Sequence, residues 1–526
     1  MVVPELRPWR AARPHVVRIA DAVRPRLARA AAAAKPRVAR LARARKPQVA
    51  RVTRPKTWQY AAGAATAGLA LAAGVVTATG PWDSSGQRTA ERDRAAALGR
   101  AGGTDHGRAP GAPAQPRPAP SAGPVLTGLG GISTVKSAPD GKALAQALTP
   151  LLKDPALGTR PAASVVDVTT GKRLYGTDPD AALTPASTTK IATAVAALSA
   201  MGADHRLTTR AALEPDTKEV VLVGGGDPTL TAREAAGGWA SLRVLADKTA
   251  AALAQRGVRE VTLSYDTTLY AGTEMHPIGV NPNLAPLSPL MADEGRTNDS
   301  TSGPADRVED PAADAAHRFG DLLKSRGIKA TAPGPSKATT RAKTLAAVSS
   351  PPLSALVERM LTDSDNDIAE ALARQTALAS GDRADFAGAG RAISARLRKL
   401  GLPLDGSSFK DGSGLDRADR LTPALLTALL TKAADPAHPE LRPALTGLPV
   451  AGFTGTLTSR YTDGAAGAVR AKTGTLTGVN TLAGTVVDQD GRLLAFAFMA
   501  NNTPNPSEAQ KALDRAATTL SNCGCR

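Results

Sequence analysis

Ser187 and Lys190 stand three residues apart, just ahead of the apolar run Ile191-Ala-Thr-Ala-Val-Ala-Ala-Leu198. In an α-helix, positions i and i+3 share a face, so the lysine amine can reach the serine hydroxyl. The apolar run must be buried, which seats the pair at the rim of a hydrophobic core. A serine hydroxyl is a weak nucleophile until a base removes its proton. A lysine becomes such a base when burial and a second nearby cation lower its pKa. The free N–H groups at a helix start can also meet a carbonyl oxygen that is gaining charge. A chain carrying this pair must therefore pack a core around one helix and bring further polar groups to its N-terminus.

Two later motifs supply candidates for those groups. Asp363-Ser364-Asp365-Asn366 offers a hydroxyl and an amide, and Lys472-Thr473-Gly474-Thr475 offers a cation with a hydroxyl beside it. The Lys-Thr-Gly run suits an edge strand: glycine lets another backbone approach, and Lys472 and Thr473 can bind a carboxylate. Ser-x-x-Lys alone is a weak signal, since Ser133-Thr-Val-Lys136 repeats it. That copy borders a Gly-rich stretch with no apolar helical run behind it and is taken as a decoy. Three motifs in this order, each on a fitting element, form a much stronger signal than any one of them.

The rest of the chain frames these motifs. Residues 1–56 hold 16 Lys and Arg against 2 Asp and Glu, so most of the formal charge of +18 sits in one tail. We read 1–57 as a solvated basic Arg/Ala/Pro-rich arm, its helices kept short by recurrent proline. Residues 58–80 are uncharged and bordered by Trp58, Tyr60 and Trp82, as expected of a single membrane-spanning helix. The positive-inside rule places the arm in the cytoplasm and everything after the helix outside. A 56-residue basic lead is too long for an ordinary signal peptide. Residues 81–131 are rich in Pro and Gly and read as a linker, and 132–526 as the folded body. In that body Ser164–Tyr175 reads as strand, turn, strand. Asn480–Val487 and Leu493–Met499 read as a hairpin turning at Asp490-Gly491, followed by a closing helix over 506–522. Helical patterns cover Ile191–Ala200, Ser354–Thr362 and Leu421–Ala433. Strands at both ends of a helical middle predict an α+β domain, an α/β sandwich whose sheet the two termini share. The two cysteines, Cys523 and Cys525, lie at the C-terminal end, either as an incidental tail or as a site of intermolecular pairing.

Ser-x-x-Lys, Ser-Asp-Asn and Lys-Thr-Gly together resemble the signature of penicillin-binding proteins and serine β-lactamases. Val221-Leu-Val-Gly-Gly-Gly-Asp-Pro-Thr-Leu230, Ser364-Asp-Asn-Asp-Ile-Ala-Glu370 and Lys410-Asp-Gly-Ser-Gly-Leu415 narrow this. They look like the class C low-molecular-mass D-alanyl-D-alanine carboxypeptidases and endopeptidases, the DacB-like DD-peptidases. The resemblance implies the transpeptidase fold, peptidoglycan stem peptides as substrate and β-lactams as inhibitors. By the same resemblance, Ser187 would be acylated, Lys190 would be its base, and Ser364 would relay a proton to the leaving amine. Asn366 would hold the substrate amide, and Lys472 and Thr473 the terminal carboxylate. Gly474 and Thr475 would complete that substrate-binding strand, with the N–H groups of Ser187 and Thr475 as the oxyanion hole. No metal or other cofactor is implied. Ser187 and Ser364 are 177 residues apart, more than a compact core of this kind uses, which predicts an inserted domain at about 205–345. Within it, Asn281–Pro311 has little regular pattern.

Other function classes fit less well. The six histidines are scattered, with no His-x-His or His-Glu-x-x-His pair for zinc. No Gly-x-Ser-x-Gly marks an α/β-hydrolase. Gly224–Gly226 lacks the Gly-Lys-Ser/Thr of a phosphate loop and reads as a turn beside Asp227, as Ser413 does within Asp411–Gly414. The basic arm carries one aromatic, Trp9, and no base-reading motif, so anionic lipid, a cytoplasmic partner or no partner at all is favoured over nucleic acid. Two rivals share the motifs: a β-lactamase, and a non-catalytic module that binds the wall or senses β-lactams.

Overall fold

The structure is a computed structural model in which residues 141–461 and 464–523 are described. The arm, the apolar segment, the linker, the Ser133–Lys136 pair and Cys525 lie outside them. No helix among the described residues is long and apolar enough to cross a membrane.

The chain opens with α1 (Gly141–Leu152), β1 (Arg160–Asp167), β2 (Arg173–Thr177) and α2 (Thr189–Met201). A second set of elements follows before the chain returns: β3 (Thr208–Leu213), β4 (Glu219–Val223), α3 (Leu242–Gln255), β5 (Glu260–Asp266) and α4 (Pro311–Lys324). The short β6 (Lys329–Ala330) and β7 (Gly334–Pro335) and then β8 (Lys343–Ser349) complete that set. The helices α5 (Leu353–Asp363), α6 (Asn366–Ala379), α7 (Phe386–Lys399), α8 (Pro423–Ala434) and α9 (Pro443–Thr446) come next. The chain ends with β9 (Val469–Leu476), β10 (Val479–Val487), β11 (Leu493–Asn501) and α10 (Pro506–Ser521).

The α+β reading holds, and the two ends of the chain share one sheet. β1 runs antiparallel to β11, from Arg160 opposite Asn501 to Asp167 opposite Leu494. The full antiparallel order is β2-β1-β11-β10-β9, which leaves β9 at an edge. Alternation along β11 explains the layers. Leu494, Phe496, Phe498 and Ala500 face the core built with α1 and α10, while Ala495, Ala497 and Met499 face the helices α2, α5, α6 and α8. Alanine on the second face lets α8 approach the sheet closely. The same economy makes α2 a helix buried on every side from Thr189 to Leu198. With aromatics at only 3% of the chain, close approach of small side chains replaces large rings as the means of filling the interior. Cys523 is not in an exposed tail: it is buried against the α10 core and disulfide-bonded.

Residues 208–349 form the second sheet, in the order β6-β5-β4-β3-β8 with β7 also on β5, packed on α3 and α4. It mixes antiparallel pairs (β3 with β4 and β8) with parallel ones (β5 with β4, β6 and β7). Between β5 and α4 the chain is irregular apart from one 3-10 turn at Asp293–Gly295, yet Leu284, Leu287, Leu290, Met291 and Arg296 in it are buried. That irregular segment leads to the site.

Candidate active site

Ser187 lies in a 3-10 turn, Ala186–Thr188, that runs directly into α2. Ala186 is held at φ 48°, a left-handed conformation costly for a residue with a Cβ. Across the gap, Gly414, itself at φ 81°, packs so closely that a Cβ on it would lie 1.9 Å from the Ala186 carbonyl oxygen. One turn beyond Ser187, as the second residue of α2, Lys190 is fully buried. Its Nζ lies 3.1 Å from Ser187 Oγ, 2.6 Å from Asn366 Oδ1 and 2.8 Å from the Ser413 carbonyl oxygen. Burial lowers the Lys190 pKa to about 8, against the opposing pull of Asp411, Glu370, Asp365 and Asp367. A second amine approaches from β9. Lys472 Nζ donates to Ser364 Oγ at 2.9 Å and to the Thr473 carbonyl at 2.8 Å. Burial, then the charges of Lys190 and Arg460, hold it well below the usual lysine range.

The junction of α5 and α6 places the middle motif. Ser364 ends α5 in a left-handed conformation at φ 59°, and Asp365 caps α6 by accepting from the Ile368 N–H at 3.0 Å. Asn366 is thereby the first residue of α6. Its Oδ1 receives Lys190, and its Nδ2 donates to the Asn283 carbonyl of the irregular segment at 2.9 Å. On β9, Thr473 Oγ1 meets Thr456 Oγ1 at 3.0 Å. Gly474 is required by close packing: a Cβ there would lie 2.1 Å from Thr481 Oγ1 and 2.7 Å from the Pro185 carbonyl oxygen. Ser187, Ser364, Asn366, Thr473 and Thr475 line one cleft of about 310 Å³. Lys190 and Lys472 lie buried beneath it, and Gly474 seats β9 against the Ser187 turn. The structure thus brings all eight residues singled out in the sequence to one place.

Residues 144–306 and 297–520 match the D-Ala-D-Ala carboxypeptidase 3 (S13) family. The chain belongs to that family. It is 36% identical over 429 residues to a carboxypeptidase of Mycobacterium tuberculosis, covering 78% of this chain and 90% of that one. It is equally 36% identical over 426 residues to the carboxypeptidase DacB of Mycolicibacterium smegmatis, with the same coverage of 78% and 90%. The crystal structure of penicillin binding protein 4 from Haemophilus influenzae shares the fold, with a TM-score of 0.58 at 21% identity, over 72% of this chain and 98% of that one.

Sequence reasoning about this D-Ala-D-Ala carboxypeptidase missed the groups that hold its motifs in place. Two lie on the face of α6 that carries Asn366, four and eight residues further on: Glu370 and Arg374. Glu370 accepts the Gly412 and Ser413 N–H groups at 3.1 and 2.8 Å. Arg374 donates to the Ala271 and Ala384 carbonyls at 2.8 and 3.0 Å and to the Thr273 carbonyl at 3.0 Å, beneath the Phe386 ring. The i, i+4 spacing after Asn366 was the available signal. The Lys410–Leu415 segment enters the sequence reading as a turn and as part of the family resemblance, with no contact foreseen, yet its Ser413 carbonyl oxygen accepts from Lys190 Nζ. Gly224–Gly226, read as a turn, is instead an irregular stretch packed too closely for side chains, since a Cβ on Gly225 would lie 2.0 Å from the Thr208 carbonyl oxygen; the turn comes after it, at Pro228–Thr229, where Asp227 accepts from Thr229. The irregular segment also lines the cleft directly, through Asn283, Arg296, Ser302, Gly303, Pro304 and Arg307. Asp367 ties it down by accepting from the Ala285 N–H and from Arg307, both at 2.9 Å.

Two clusters have the ligand types of a metal site, His276/Glu370/Asp411 and Glu294/Asp365/Asp367. Their oxygens are already engaged. Asp411 accepts from Gly414, Asp416 and His276, while Arg296, Arg307 and Arg359 pair with the second group. They act as braces between segments.

Proposed function

We propose that this D-Ala-D-Ala carboxypeptidase removes the terminal D-alanine of peptidoglycan stem peptides through an acyl-enzyme on Ser187. The observation that carries this is the Lys190 amine, 3.1 Å from Ser187 Oγ and held near pKa 8 in a fully buried site. Neutral Lys190 takes the Ser187 proton as Oγ attacks the penultimate D-Ala carbonyl. The N–H groups of Ser187 and Thr475 stabilise the oxyanion. The C–N bond then breaks, and the leaving amine takes a proton relayed by Ser364, which Lys472 touches at 2.9 Å. Water hydrolyses the ester and frees Ser187. Asn366 Nδ2 holds the substrate amide by exchanging its Asn283 partner for a substrate carbonyl. Lys472 and Thr473 take the terminal carboxylate, whose charge in turn favours the Lys472 cation. A β-lactam follows the same first step and stays as the acyl-enzyme.

The test is labelling with a fluorescent penicillin, followed by incubation with a D-Ala-D-Ala peptide. Label and D-alanine release are expected from the wild type and absent from Ser187→Ala. A folded wild type with neither outcome would point to a non-catalytic wall-binding module instead. Two further outcomes follow from the geometry. Because Lys190 must be neutral to accept a proton, the acylation rate is expected to rise with pH through about 8 and then level. Because the terminal carboxylate is gripped by charge, a peptide amidated at its C-terminus is expected to lose roughly tenfold or more in kcat/KM. Equal turnover of acid and amide would remove Lys472 and Thr473 from that role.

We also propose that residues 58–80 tether the enzyme as a single membrane-spanning helix, with the 1–57 arm on cytoplasmic anionic lipid. Residues 81–131 would then lift the catalytic body, including its inserted region at about 205–345, toward the wall. The aromatic borders of an uncharged segment and the one-sided charge support this. N-terminal sequencing of the protein from membranes tests it: a mature terminus near residue 79 would mean that the segment is removed.

A further inference from the structure

His276 is carried by the chain between β5 and α4, far from every motif in sequence, yet it is 2% exposed beneath the active site. Its ring is fixed from three sides. Nδ1 accepts the Ile278 N–H at 3.2 Å, Nε2 meets Asp411 Oδ2 at 3.1 Å, and Phe386 packs edge-on at 5.1 Å between ring centroids. An Nδ1 that accepts leaves the proton on Nε2, so His276 is the donor to Asp411. Asp411 in turn accepts the Gly414 and Asp416 N–H groups, both at 2.6 Å. On the other side of the same turn, Glu370 holds the Gly412 and Ser413 N–H groups. The Ser413 carbonyl between these clamps is the one that accepts Lys190 Nζ at 2.8 Å.

We infer that His276 is a positioning residue for the lysine base: by donating to Asp411 it fixes the turn whose Ser413 carbonyl holds the Lys190 amine opposite Ser187. This rests on the reading of Lys190 as the base. The charged groups around His276 are Asp411 and Asp416 in the turn and Glu370 on α6, with Lys190 and Arg374 one contact further out. Burial works against the charged ring, but the Asp411 hydrogen bond and the Glu370 and Asp411 charges outweigh it and hold the His276 pKa above its usual value. Four carboxylates, Asp411 and Glu370 foremost, with Asp365 and Asp367, pull on an amine that must be neutral to work. The Nε2–H dipole directed at Asp411 offsets part of their pull on Lys190. Losing that donor has two consequences: the Ser413 carbonyl shifts, and Lys190 becomes harder to deprotonate.

The experiment measures the rate of acylation by a fluorescent penicillin from pH 6 to 10, on the full chain and its variants, each checked for folding by thermal melting. His276→Phe keeps the ring and loses the donor. It is expected to lower the plateau rate about tenfold to a hundredfold and to move the rising limb to higher pH. His276→Gln, whose amide N–H reaches toward Asp411, is expected to recover most of the plateau. A folded His276→Phe with wild-type plateau and limb would overturn the inference, as would a Gln variant no better than Phe. Should His276→Phe not fold, His276→Asn, too short to reach Asp411, takes its place with the same expected loss, and a wild-type profile again overturns the claim. Lys190→Ala run in parallel separates the two readings. If it still acylates, the base assignment itself falls; if it does not and His276 variants match wild type, only the His276 role falls.

Discussion

Lys190→Ala is expected to slow acylation of Ser187 by about a hundredfold to ten-thousandfold, the usual loss when a positioned base is removed, while the protein stays folded. The folding half of this needs argument, since Lys190 is fully buried and bonded to Asn366, Ser413 and Ser187. Its removal leaves two buried oxygens short of a donor, each costing about 1–3 kcal/mol. Against that, the chain no longer has to desolvate an amine, the same penalty that lowers its pKa to about 8. The space left beneath the cleft is polar, so water can bridge the orphaned acceptors. The two effects oppose each other, and the melting temperature is expected to stay close to wild type. Measuring the labelling rate at saturating penicillin isolates the chemical step from binding. Wild-type labelling by a folded Lys190→Ala protein would refute the base assignment.

Arg374→Ala is expected to do the reverse, damaging the fold more than the chemistry. Arg374 is 1% exposed and donates to three backbone carbonyls, two on the segment between β5 and α4 and one at Ala384. Alanine orphans all three and removes the cation beneath Phe386 and Tyr270. The expected loss is about 3 kcal/mol or more, seen as a fall in melting temperature of roughly 5 °C or more. Lysine cannot rescue it, because a single ammonium does not span three carbonyls in a fixed fork. A Lys variant with wild-type melting would contradict this account of how the segment between β5 and α4 is held.

What could be read from the sequence was local or periodic. Ser187 and Lys190 are one helical turn apart, so their contact follows from helix geometry alone. The hairpin at 479–501 and the edge position of β9 follow from alternation and from glycine in Lys472-Thr-Gly474. The groups that were missed depend on meetings between distant segments. Glu370 serves Gly412 and Ser413, Arg374 serves Ala271 and Thr273, and His276 serves Asp411. Nothing in the neighbourhood of either partner announces the other. The Ser413 contact is made by a backbone carbonyl, so no residue type could have signalled it. Arg296 and Arg307 reach the cleft from a segment with no period, where burial is imposed by α6 rather than by an apolar stripe. The mixed pairing of the second sheet was likewise hidden, since parallel partners such as β4 and β5 are joined through a helix rather than a turn.

The catalytic sheet also sets an order of events during synthesis. β1, which with β2 precedes the Ser187 turn, finds its central partner only in β11, more than three hundred residues later. Until the ribosome has released that last strand, the β9–β10 hairpin has no link to β1, and Ser187 and the Lys472–Thr475 strand are not held on one sheet. On the proposed reading of Ser187, a chain stopped short of β11 is expected to be inert toward peptides and β-lactams alike.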